Sequence, residues 1–195
     1  MSDNHFEIFL VATPGLEAPL AAEAAALGWQ PVIQPGGVTV TGDWSDVRRA
    51  NLMLRGATRV LARIGGFRAM HLAQLDKRAR KFPWADILRP DQPVKVEAVC
   101  KASKIYHAGA ATQRIERAIT EELGAPIAAD APMTIKTRIE DDLVTFSIDT
   151  TGESLHKRGH KVAVAKAPMR ETMAAMFLSE MGFDGTQSVL DPMCG

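Results

Sequence analysis

The sequence predicts an α+β protein of two successive modules, and three observations point that way. Residues 6–64 read as strand, helix, strand, strand, helix, strand, the order of a ferredoxin-like unit. Residues 93–149 carry a second set: an alternating strand, an amphipathic helix and two further alternating strands around an acidic turn. Of the 195 residues, 46% are hydrophobic, ample for a core, yet no run reaches the ~18 apolar residues of a membrane span.

In the first module, residues 6–12 are apolar enough for a mostly buried strand, and Pro14-Gly15 breaks it. Residues 16–27 are Ala-rich with apolar side chains at helical spacing, and Gly28 follows as a C-cap. Val32-Ile33 and residues 38–41 are strands separated by the turn Pro35-Gly36-Gly37. Asp43 or Ser45 can cap a helix running to Leu54, with Val47, Ala50 and Leu54 inward and Arg48, Arg49 and Arg55 outward. Trp44 reads as a packing residue beside that cap. Residues 58–64 alternate like a strand, and residues 65–70 read as a linker.

The second module opens with a short helix over residues 72–82, closed by Phe82-Pro83-Trp84. Residues 93–101 alternate Val94, Val96, Ala98 and Cys100 against Lys95, Glu97, Val99 and Lys101, a strand with one wetter face. Cys100 belongs to the apolar set and is most simply a core thiol. A helix over 110–123 follows and ends at Gly124 and Pro126. Residues 133–139 and 143–149 are strands joined by Glu140-Asp141-Asp142, a hairpin turn. Residues 154–160 are short and polar, and 161–168 form a linker. Residues 171–181 are helical, and their Met173, Met176, Phe177 and Met181 are more apolar than a solvated helix needs. Gln187 to Leu190 reads as a short buried strand running into Asp191-Pro192-Met193-Cys194-Gly195.

Net charge is zero but unevenly spread. Residues 1–42 carry four acidic residues and no Lys or Arg, whereas residues 43–95 carry 12 basic against 5 acidic. A basic surface for a polyanion is compatible with this pattern, and so are solvated helix faces. Cys100 and Cys194 are far apart in the chain and form neither a disulfide framework nor a metal spacing, which fits a reducing, cytoplasmic setting. The N-terminus, with Asp3 and Glu7, lacks the basic n-region of a signal peptide.

Three stretches could carry binding. Lys101, Ser103, Lys104, Tyr106 and His107 crowd a strand-to-helix junction. A helix N-terminus with added ammonium, hydroxyl and imidazole groups suits phosphate, and Tyr106 could stack on a base or ribose. The alternative is a capped helix with solvated lysines. His156, Lys157 and Arg158, with His160 and Lys161 beyond Gly159, make a second basic cluster, either for phosphates or as a solvated linker. Two of these histidines lack the further ligands that a metal would need. At the third stretch, Asp-Pro ends a strand and a Gly follows, the place where open α/β sheets bind nucleotide-like ligands. An ordinary strand-to-turn junction reads the same way. No catalytic constellation is present, and no Pro-Pro pair occurs anywhere.

Asp191-Pro192-Met193-Cys194-Gly195 resembles the opening of the S-adenosylmethionine-binding loop of amino-methyltransferases. Ser103-Lys104-Ile105-Tyr106-His107 and Ser154-Leu155-His156-Lys157-Arg158-Gly159 resemble the THUMP RNA-binding domain and its exit. They are similar to those of THUMP-linked guanine-N2 methyltransferases acting on ribosomal or transfer RNA. Ala167-Pro168-Met169-Arg170-Glu171-Thr172 resembles the segment leading into that family's catalytic domain. The resemblance implies a ferredoxin-like domain over 1–66, a THUMP domain over 67–160, and the first helix and strand of a truncated Rossmann-like methyltransferase over 161–195. It implies RNA as partner, 23S ribosomal or transfer RNA, through Lys101, Ser103, Lys104, Tyr106, His107, His156, Lys157 and Arg158. It implies S-adenosylmethionine as cofactor, approached by Asp191, Pro192, Met193, Cys194 and Gly195, with the catalytic domain beyond residue 195. The chain by itself is then expected to be inactive. Rival expectations are a non-catalytic RNA-binding adaptor and an adenine amino-methyltransferase acting on DNA.

Overall fold

The computed structural model describes residues 5–159 and 167–192. The fold is mixed α/β, with seven strands among the described residues, and the chain packs as two compact units. One comprises residues 1–61 with 153–195, the other residues 62–152.

In the first unit, β1 (Phe6–Val11) pairs antiparallel with β3 (Gly37–Gly42), from Phe6 opposite Gly42 to Val11 opposite Gly37. On the other side of β3 runs β2 (Val32–Gln34), also antiparallel. β4 (Arg59–Arg68) starts in this unit, so the order β2-β3-β1-β4 around helices α1 (Glu17–Ala26) and α2 (Trp44–Met53) is the expected ferredoxin-like arrangement. Asp43 caps α2 through the amides of Ser45 and Asp46, and Asp46 returns a bond to the Asp43 amide, a reciprocal capping box. Trp44, beside that cap, is half exposed and its ring lies 5.0 Å from that of Phe6. Ile8, Leu10, Leu20, Ala24, Val38 and Val40 form the core.

The late helix α5 (Glu171–Glu180) belongs to the same unit. It buries Met176 and Thr172, and Met176 fills the space where a Cβ on Gly56 would stand. Phe177 and Met181, on its other side, are exposed. The apolar character of this helix is thus only partly absorbed.

In the second unit, β4 continues to Arg68 rather than giving way to a linker at residue 65. Gly65 adopts a positive φ of 132°, and a Cβ on Gly66 would strike the Val144 carbonyl. The two glycines therefore keep the strand going where close backbone approach excludes side chains. Around it lie α3 (Leu72–Arg80), a 3-10 turn (Trp84–Asp86), β5 (Val94–Lys101), α4 (Ala108–Leu123), β6 (Met133–Glu140) and β7 (Leu143–Asp149). The strand order is β4-β7-β6-β5, with β5 parallel to β6 and β6 antiparallel to β7. Asp141 and Asp142 both take positive φ, 49° and 59°, the conformation a two-residue hairpin turn requires. One sheet face buries Val94, Val96, Ile135, Ile139, Val144 and Phe146, with α4 packed on β5 and α3 packed on α4. Trp84 seals this core, donating its indole N–H to the Ala79 carbonyl at 2.8 Å and stacking on Phe82 and Phe146. Cys100 on β5 is half-buried, and burial pushes its thiol up, away from thiolate chemistry.

The strand expected over residues 187–190 is absent: these residues lie outside any strand, and Val189 and Leu190 are 54% and 88% exposed. A short apolar segment becomes a strand only where a neighbour supplies ladder partners, and none of the described strands pairs with it.

Candidate nucleic-acid interface

The loop between β5 and α4 is built by one carboxylate. Asp142, in the β6–β7 hairpin, accepts hydrogen bonds from the Ser103 hydroxyl and the Lys104 amide, each at 2.8 Å through the same oxygen. The Lys104 amide and then the Ser103 hydroxyl hold its carboxyl below the usual carboxylate range. Ser103 in turn accepts from the Ile105 amide at 3.3 Å, and Ile105 is buried. The Asp142 carbonyl accepts from Ala69, so the segment before α3 is tied to the same hairpin.

This bracing decides what the loop presents. Ile105 points inward, leaving Tyr106 84% exposed on the next residue. His107 is the N-cap of α4, its Nδ1 accepting from the Ala110 amide at 3.1 Å. Its imidazole is therefore a structural cap first. Lys104 Nζ meets only the Met70 sulfur, at 3.5 Å, and no carboxylate stands at ion-pair distance among the described residues. Lys101 differs, reaching Glu140 at 3.4 Å. Ala102, between them, sits at φ 44°, a left-handed conformation that costs an alanine roughly 1–2 kcal/mol. Such strain persists only where the surroundings impose it, here the two Asp142 bonds immediately downstream.

The second basic cluster lies in the other unit, on a 3-10 turn (Leu155–Lys157). Arg158 donates to the carbonyls of Asn51, Leu52 and Leu54 at 2.6, 3.1 and 2.9 Å, closing the C-terminal end of α2. Lys157 pairs with Glu153 at 3.0 Å. Burial, and then the charges of Arg170 and Lys157, lower the pKa of His156, so it is neutral near pH 7. Its Nδ1 is buried and has no hydrogen-bond partner among the described residues. Lys157 and Arg158 are thus largely spoken for within the protein, while His160 and Lys161 lie outside the described residues. Of the third stretch, Asp191 and Pro192 are exposed, and Met193, Cys194 and Gly195 lie outside the described residues.

Sequence reasoning did not find Asp142 or Met70 at this site. Asp142 was legible as a turn residue, but its role depends on which loop the hairpin faces.

Residues 7–61 match the RlmL ferredoxin-like domain family. The Ribosomal RNA large subunit methyltransferase K/L of Syntrophotalea carbinolica is 30% identical, the match covering 99% of this chain and 29% of that protein. Among solved structures, one described as a predicted N6-adenine-specific DNA methylase from Listeria monocytogenes is 34% identical with a TM-score of 0.81, over 90% of this chain and 48% of that one. Another, described as a methyltransferase complexed with SAH, is 27% identical with a TM-score of 0.79, over 91% of this chain and 49% of that one. The chain spans between 27% and 51% of the length of the first curated relatives it matches. The resemblance to RNA methyltransferases read from the sequence motifs is borne out by these relatives and by the ferredoxin-like match.

Proposed function

We propose that this chain is the RNA-recognising part of a cytoplasmic S-adenosylmethionine-dependent methyltransferase whose target is the N2 amine of a guanine in 23S ribosomal RNA. What carries the reading is a match over nearly the whole chain to a ribosomal RNA methyltransferase of which it covers under a third. In this reading residues 1–66 are the ferredoxin-like domain, 67–160 the THUMP domain, and 161–195 lead into the catalytic domain. RNA is held first by the braced loop: Lys104 supplies an unpaired charge, Tyr106 a stacking face, and Ser103 and His107 hold the two in place. Lys101, His156, Lys157 and Arg158 are secondary contacts, because their polar groups already have protein partners or little charge.

Of the stretch that would approach the cofactor, only Asp191 and Pro192 are described residues. Val189 and Leu190 are exposed and no strand end forms a cradle beside them, so no step of methyl transfer is assigned to this chain's residues. Methyl transfer falls to the rest of the parent enzyme.

A second reading, an adenine amino-methyltransferase acting on DNA, is favoured by the description of the Listeria structure. One comparison separates the two: anisotropy of a labelled 23S RNA fragment against DNA of the same sequence and fold. Preference for the RNA, weakened by Lys104→Ala and Tyr106→Ala, supports the first reading. Equal or tighter binding to DNA overturns it.

A further inference from the structure

In the second unit α3 carries a cluster of cations without ion pairs among the described residues, apart from Arg114 on α4, and the cluster was not legible as a site from the sequence. The sheet-face cations Lys95, Lys101, Lys136 and Arg138 each meet Glu97, Glu140 or Asp149. On α4, Arg117 pairs with Glu121, while Arg80 of α3 gathers Asp76, Glu121 and Glu122. Lys77, Arg78 and Lys81 are exposed and meet no carboxylate among the described residues; Arg78 only donates to the Arg68 carbonyl, at 2.6 Å. At about 100° per residue, Gln74, Lys77, Arg78 and Lys81 share one side of α3, next to the stripe that buries Leu75 and Ala79. Together with His71 they line a groove of about 520 Å³.

The groove leads to the braced loop. His71 caps α3, its Nδ1 accepting from the Gln74 amide, and Gln74 accepts from the Met70 amide at 2.9 Å. Met70 is the residue whose sulfur meets Lys104 Nζ. A line of cations without an ion pair among the described residues therefore runs from Lys104, whose charge only the nearby Asp142 carboxylate offsets in part, past Met70 and along α3 to Lys81. Lys77 and Lys81 are one turn apart, about 6 Å along the helix axis, so two separate phosphates of one strand can each meet an ammonium.

We infer that the α3 groove is a phosphate track for single-stranded RNA, carrying consecutive backbone phosphates on Lys77 and Lys81 while Tyr106 and Lys104 engage the adjoining nucleotide. The inference rests on the reading of the braced loop as an RNA site. It adds a path for the bound strand and separates the binding face from the neutralised sheet face.

The test is anisotropy of the full chain with a labelled single-stranded RNA of about twelve nucleotides, titrated at several salt concentrations. Four proteins are compared: the parent, Lys77→Gln/Lys81→Gln, Lys104→Ala and Lys95→Gln. The α3 double variant should bind about tenfold more weakly, with a log–log salt slope shallower by about 1.4, two phosphates of a single strand. Lys95→Gln removes an already paired charge and should bind like the parent. All substituted side chains are at the surface, and circular-dichroism melts verify that the fold is kept. If the double variant binds like the parent while Lys104→Ala weakens, the track is wrong and the loop site stands. Weaker binding with an unchanged slope, or an equal loss with Lys95→Gln, overturns the track as well. If the parent binds no RNA, the functional reading fails and the track falls with it.

Discussion

Asp142 and Lys104, 38 positions apart in sequence, are joined by a 2.8 Å hydrogen bond from the Lys104 amide to the Asp142 carboxylate. A second bond from Ser103 to the same oxygen makes Asp142 the brace of the whole β5–α4 loop. The brace is acidic at a site proposed to bind a polyanion, which makes its role testable by sign. If Asp142 acted only through its charge, Asp142→Ala would raise RNA affinity. As a brace, its removal frees the loop, and the expected outcome is a several-fold loss in affinity, measured by anisotropy at fixed salt. Amide exchange of Lys104 and Ile105 should quicken in the same variant.

Tyr106 contributes almost nothing to the core, being 84% exposed. Tyr106→Ala should leave the melting temperature within a degree or two of the parent. It should weaken single-stranded RNA binding by about 1–3 kcal/mol if a base stacks on the ring, with the salt slope unchanged. A stable variant with parental affinity removes the stacking role.

Arg158 is expected to matter for folding more than for RNA. Its guanidinium satisfies three carbonyls at the end of α2, groups that otherwise lack intrahelical partners. Arg158→Ala should cost about 1–3 kcal/mol in urea denaturation. A stability equal to the parent would show that water replaces those bonds freely.

Glu97 supplies a pH dependence. Hydrogen bonds from Lys136 and then Lys95 lower its pKa from 4.5 to about 2. A carboxylate depressed in the folded state stabilises fully above its unfolded value, and the contribution fades as pH falls through the folded one. Its side chain is 40% exposed, so solvent screening keeps the effect small. Thermal melts of the parent and Glu97→Gln should differ most at neutral pH and converge between pH 4.5 and about 2. A difference constant across that window would rule out the ion pair as its source.

The sequence by itself determined the local elements and the order in which they come. The period of Val94, Val96, Ala98 and Cys100 is enough to place β5, and a capping residue at Asp43 or Ser45 is enough to start α2, because alternation and capping are short-range effects. The Lys104–Tyr106 stretch was also legible as a candidate site, since phosphate and base contacts need those side-chain types at a loop-to-helix junction. The tertiary structure decided which charges are free. Lys101 and Lys104 look alike in the sequence, yet β5 runs parallel to β6 and sets Lys101 opposite Glu140, while Asp142 turns Lys104 away toward Met70. Arg158 reads as one more basic residue until the fold lays it against the end of α2. The run from Gln187 to Leu190 has a strand's composition but pairs with no strand among the described residues. In each case the outcome turns on a partner far away in sequence, and pairing over such distances is fixed only when the chain packs.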